Sequence, residues 1–119
     1  MSYDSRIYII RRTKNEKGCF AEKIAMFDLC CMGYNNGWIK LFDTEIKYDI
    51  YIENGDTPTK TDRYGDTLKE TKIENVIEWL ENLVKSGDTY RRLKPCLAML
   101  KGFNLEEWSN GLYIIHYGY

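Results

Sequence analysis

Between Thr71 and Asp88 the chain carries a run of helical periodicity with a start signal and a stop signal. Ile73, Val76, Ile77, Leu80, Leu83 and Val84 recur at three- and four-residue intervals, the spacing that gathers side chains into one apolar stripe on an α-helix. Thr71 and Glu74 have the three-residue separation of a capping box, in which each side chain satisfies a backbone N–H at the helix start. Lys85 lies where a cation complements the helix dipole, and Gly87 stands where a left-handed C′ residue would end the helix. A stripe of this kind needs an apolar surface to cover, and the strand-like segments elsewhere supply one.

Ile7-Tyr8-Ile9-Ile10 is β-branched and aromatic, as strands are. Ile46, Tyr48, Ile50 and Ile52 alternate with Lys47, Asp49, Tyr51 and Glu53, which predicts a strand covering a core on one side only. Asn54-Gly55 is a hairpin-turn signal, and Thr57 to Thr61 is expected to return as an edge strand because Pro58 is tolerated only there. Leu112 to Tyr117 reads as a closing strand. The stretch from Cys19 to Cys31 fits both periods. Phe20, Ile24, Phe27 and Cys31 have helical spacing, whereas Ala25, Phe27 and Leu29 alternate; the short polar turn before it favours a strand in a hairpin. Gly33 to Gly37 reads as a loop, and Trp38 to Phe42 as a short alternating segment around Lys40.

After the first helix, Asp88 is placed to cap a second stretch in which Tyr90, Leu93, Leu97 and Leu100 recur at helical spacing. Pro95 should kink that stretch or start a new helix, since it lacks an N–H and clashes with the preceding turn. Asn104 and Glu107 look like a further cap. The fold expected is a single α+β domain over 1–119, an antiparallel sheet of about four to six strands with two C-terminal helical stretches packed on one face.

Composition narrows the function classes. Hydrophobic residues are 44% and charged residues 29% of the chain, the balance of an ordinary globular protein. No apolar run approaches the roughly 18 residues of a membrane helix. The opening Met1-Ser2-Tyr3-Asp4-Ser5-Arg6 lacks the apolar stretch of a signal peptide, so a cytoplasmic location is expected. Cys19, Cys30, Cys31 and Cys96 form no C-x-x-C pair, which speaks for free thiols over a zinc or dithiol site. Phosphate-loop, dinucleotide and zinc-protease motifs are all missing. Asp56, Asp62 and Asp66 do not have the spacing of a calcium loop. No cofactor is expected.

Net charge is −1, too balanced for bulk nucleic-acid binding. From Asp43 to Glu81, however, acidic residues outnumber basic ones by eleven to five. Such segregation steers a cationic partner toward the middle of the chain. Glu74, Glu78 and Glu81 share one face of the predicted helix, and Trp79 lies beside them, off the centre of the apolar stripe. Trp79 and Tyr34 are candidate interface aromatics, since such residues are enriched in binding hot spots. A second candidate is the cluster Arg91, Arg92 and Lys94 at the start of the second helical stretch, which suits the phosphates of a nucleotide. His116, the one histidine, is the third: any imidazole acid–base chemistry would have to use it.

Asp62-Arg63-Tyr64-Gly65, the capped helix, Tyr90-Arg91-Arg92-Leu93-Lys94-Pro95 and the closing His116-Tyr117-Gly118 together resemble small uncharacterised proteins of phages and mobile elements in low-GC bacteria. The resemblance covers about the second half of the chain. It implies an accessory protein that counters host defence, anti-CRISPR proteins being one such group. The function expected is therefore a non-enzymatic binding protein whose acidic surface meets a protein partner with a basic surface, with a nucleic-acid-binding defence complex as the candidate. No membrane and no direct nucleic-acid partner is expected. The alternative is a small-ligand protein that holds a nucleotide at Arg91, Arg92 and Lys94.

Overall fold

The computed structural model describes residues 5–15, 18–29, 36–50, 59–61, 65–103 and 111–118. The chain is α+β. Five strands form one antiparallel sheet: β1 (Ser5–Asn15), β2 (Gly18–Asp28), β3 (Thr44–Glu45), β4 (Lys69–Lys72) and β5 (Leu112–Gly118), in the spatial order β2-β1-β5-β4-β3. Three helices accompany it: α1 (Asn36–Leu41), α2 (Ile73–Lys85) and α3 (Leu93–Lys101).

The period-2 alternation of β1 and β5 sends apolar side chains to both sides of the sheet. Ile7, Ile9, Leu112 and Ile114 meet the helices, where Trp38, Phe42, Ile73, Val76, Leu80, Leu93, Cys96 and Leu100 complete one buried core. Tyr8, Ile10, Ile115 and Tyr117 face the other way. There Ile46, Tyr48, Ile50 and Leu68 cover them, while Lys47 and Asp49 are exposed. The alternation at 46–50 is real, but these residues form no regular strand; they lay a lid over the second face, and residues 51–53 lie outside the described residues. Outside β3 this segment bonds in isolated places only, such as the paired Ile50–Thr59 bonds of 2.9 Å and Ile46 N–H to the Leu68 carbonyl at 3.0 Å.

Cys19–Cys31 resolves as a strand for most of its length, and the ambiguous period has a cause. The β1–β2 register slips between Ile9, opposite Ala25, and Ile10, opposite Lys23. Ile24 is the extra residue of this β-bulge, so it joins Ala25 and Phe27 against the helix-side core. The inserted residue breaks the strict alternation and lends the sequence a helical spacing.

Two expectations are corrected. Trp38–Phe42 belongs to α1 and the residue after it, with Trp38 and Phe42 buried and Ile39 and Lys40 exposed. The relevant interval was four residues, one helical turn, not two. The capping box does not form. Thr71 is a buried β4 residue, α2 starts at Ile73, and its N-cap Lys72 makes no side-chain cap. The Thr71 hydroxyl instead accepts from Asn75 Nδ2 at 3.0 Å. The turn at Asn54-Gly55, the Asn104–Glu107 cap, Tyr34, Cys30 and Cys31 lie outside the described residues.

The helix stop is as expected. Gly87 has φ +95°. Its N–H donates to the Val84 carbonyl (3.1 Å) and that of Asp88 to the Leu83 carbonyl (3.3 Å), the paired bonds of a Schellman turn. A Cβ at Gly87 would meet nothing within 4 Å, so Gly87→Ala carries a backbone cost alone. A loss of about 1–2 kcal/mol is expected in chemical denaturation, and an unchanged midpoint would show that the turn does not need the left-handed conformation. The Asp88 side chain accepts from Tyr90 N–H at 2.8 Å and so, contrary to expectation, does not cap α3, which begins five positions later with Arg92 as its N-cap. Pro95 is the third residue of α3, inside the first turn where its missing N–H has no intrahelical partner to lose.

Candidate functional site

The acidic face of α2 is held from beneath by Ile73, Val76 and Leu80, each essentially inaccessible to solvent. Burial of side chains of this size is worth about 1.5–3 kcal/mol apiece, which makes the helix a rigid platform. Glu74 and Glu78, one turn apart, are exposed, and among the described residues neither forms an ion pair. Glu81 differs: Lys101 of α3 lies 3.2 Å from its carboxylate. Trp79 is half-buried, with its ring 5.5 Å from that of Trp38, so it divides its surface between the helix-side core and solvent.

The basic cluster is dispersed in role. Arg92 Nη1 donates to the Asp28 carbonyl at 3.0 Å and lies 3.6 Å from its carboxylate, tying the approach to α3 onto the end of β2. Arg91 and Lys94 are exposed. Only two of the three cations are therefore turned outward.

His116 sits on the helix side of the central strand β5. Its Nε2 is 3.0 Å from Ser5 Oγ, and the same oxygen accepts from Trp38 Nε1 at 3.0 Å. Indole N–H only donates, so the serine oxygen is the acceptor of the Trp38 bond, while the direction of its bond to the imidazole follows the His116 tautomer. The ring lies against Phe42, with centroids 5.1 Å apart. A serine–histidine pair at this distance invites a nucleophilic reading. Ser5 is wholly buried, however, and its hydroxyl is spent on two interior partners. The trio ties β1, α1 and β5 together. Cys96 is likewise interior, and burial pushes its thiol up to about 12, which leaves no thiolate at neutral pH.

A further group, on the opposite face, is marked by no motif in the chain. Glu70, buried in β4, accepts from Arg12 Nη1 at 2.9 Å through one carboxylate oxygen and from the Tyr48 hydroxyl through the other. The Arg12 guanidinium stacks 3.5 Å from the centre of the Tyr113 ring and lies 5.9 Å from that of Tyr48. Its partners are 36, 58 and 101 positions away along the chain, and no local pattern announces such a meeting. Adjacent to it lies a polar cleft of about 290 Å³. One wall is Asp43 and Thr44, the other Lys72 and Asn75 at the start of α2, and the floor runs from Glu70 and Thr71 to Tyr113.

Among the described residues no group of three or more His, Cys, Asp or Glu side chains could hold a metal ion, and no helix is long and apolar enough to cross a membrane. Compared with protein-family models, with curated proteins and with solved structures, the chain gives no match.

Proposed function

We propose that this protein is a non-enzymatic binding protein that presents the outer face of α2 to a basic surface on a protein partner. The exposure of Glu74 and Glu78, both without ion pairs on a helix anchored in the core, carries this reading. A fixed pair of carboxylates meets a cationic groove with little conformational entropy to lose, and charge complementarity of this kind raises association rate and specificity. The half-buried Trp79 supplies apolar contact beside them. Glu81, committed to Lys101, sits at the rim of the contact.

The resemblance of the second half to phage and mobile-element accessory proteins suggests the partner: a nucleic-acid-binding complex of bacterial defence, of the CRISPR type, met in the host cytoplasm and blocked where it would otherwise hold nucleic acid. In the test, the chain is used as bait for a bacterial lysate, and the affinity for the captured partner is then measured for wild type and for Glu74→Lys/Glu78→Lys. Reversing both charges should weaken binding by about tenfold or more, and wild-type binding should fall with added salt and with competing nucleic acid. Equal affinity for the two proteins would remove this face as the interface.

A further inference from the structure

We infer that the cleft between residues 43–44 and the start of α2 is a binding site for a small zwitterion of the α-amino-acid class. The two walls carry opposite charge, Asp43 on one and Lys72 on the other. Hydrogen-bonding capacity converges on the space between them. Lys72 forms no ion pair among the described residues, and its ammonium is exposed. Among the described residues Asp43 accepts the Thr44 hydroxyl alone, at 3.1 Å. Asn75 spends its amide N–H on Thr71, leaving the carbonyl oxygen for a ligand. The Tyr113 ring is clamped by Arg12, and among the described residues no group takes its hydroxyl.

The floor is fixed. Glu70 has both oxygens occupied by Arg12 and Tyr48, so its charge is already compensated and does not compete for the ligand's ammonium. A carboxylate would therefore meet Lys72 and the Tyr113 hydroxyl. The ammonium would meet Asp43 and the Asn75 carbonyl. A simple anion would gain the first contact and face Asp43; a simple cation would gain the second and face Lys72. Only a molecule bearing both charges satisfies both walls. The volume suits a compact polar ligand, at the lower limit of ordinary small-molecule pockets.

The site lies beside the acidic face of α2 without depending on it, and the two can fail separately. The test is a titration of the isotope-labelled protein, followed by amide chemical shifts, with glycine, serine, glutamine and aspartate, and with acetate and ethylamine as the separate halves. At least one amino acid should bind with a dissociation constant of millimolar or below and shift the amides of 43–44, 70–75 and 113, while both halves bind at least about tenfold more weakly. Lys72→Met and Asp43→Asn should each weaken the amino acid by about tenfold, whereas Glu78→Gln should not. No shifts with any of the four at about 10 mM, halves that bind as well as the whole, or affinity unmoved by either cleft substitution would overturn the assignment.

Discussion

Trp38→Ala is expected to lower the free energy of unfolding by about 3–5 kcal/mol. Trp38 is the largest of the wholly buried side chains, and its ring meets Phe42 at 5.2 Å, Trp79 at 5.5 Å and His116 at 6.3 Å between centroids. Truncation would leave a void among groups held by three separate elements, so the site cannot collapse onto it. It would also remove the indole donor to Ser5 Oγ. Domains of this size have roughly 5–15 kcal/mol in total, and the loss should bring the urea midpoint close to that of a partly unfolded population. Trp38→Phe separates the two contributions. It keeps much of the aromatic volume and loses the hydrogen bond, and should cost less than the alanine variant. If the two substitutions proved equal, the packing account of this position would fail.

Glu70→Ala is expected to cost about 3 kcal/mol. Removing one member of a buried ion pair costs about 3–5 kcal/mol because its partner is left without compensation; Arg12, with its side chain 31% accessible, can recover part of that from water. Tyr48, 5% exposed, would lose the Glu70 acceptor with little access to water in its place. Glu70→Gln should lie between wild type and alanine, since one amide oxygen can serve one of the two donors. The sharper measurement is a double-mutant cycle. Arg12→Met combined with Glu70→Leu removes the charges together and should lose clearly less than the sum of the single losses. Strict additivity would mean that the 2.9 Å contact contributes nothing to the stability of the lid at 46–50.

These two positions also show what a linear reading can and cannot reach. The stripe of α2, its glycine stop, the alternation at 46–50 and the closing strand were legible because each is a repeat within a dozen residues, enforced by one buried side. Trp38 was visible as an aromatic but not as a helical one, because a six-residue helix holds too few turns to separate its period from that of a strand. Thr71 had the spacing of a cap and became a strand residue: β4 runs directly into α2, and cross-strand pairing with Ile114 outweighed the local cap. Of the candidate site residues, Glu74 and Glu78 stand outward as helix geometry requires. The pairing of Glu81 with Lys101 and of Arg92 with Asp28 depends on how separate elements dock, and no spacing encodes that. The same holds for the cleft, whose lining comes from the start of β3, from β4, from α2 and from β5.

The sheet order has a consequence for how the chain acquires its form. β5 lies between β1 and β4, pairing Ser5 with Gly118 on one flank and Lys72 with Tyr113 on the other. Until residues 112–118 are in place, the β1–β2 pair and the strand leading into α2 have no common neighbour. Both faces of the interior depend on that one insertion, through Ile114 toward the helices and Ile115 toward the lid. Contacts spanning more than a hundred positions carry a large loop-closure cost and slow the search for the native state. A chain in which β5 has not docked holds two unjoined halves with apolar surface exposed, so insertion of β5 is the step that closes the sheet.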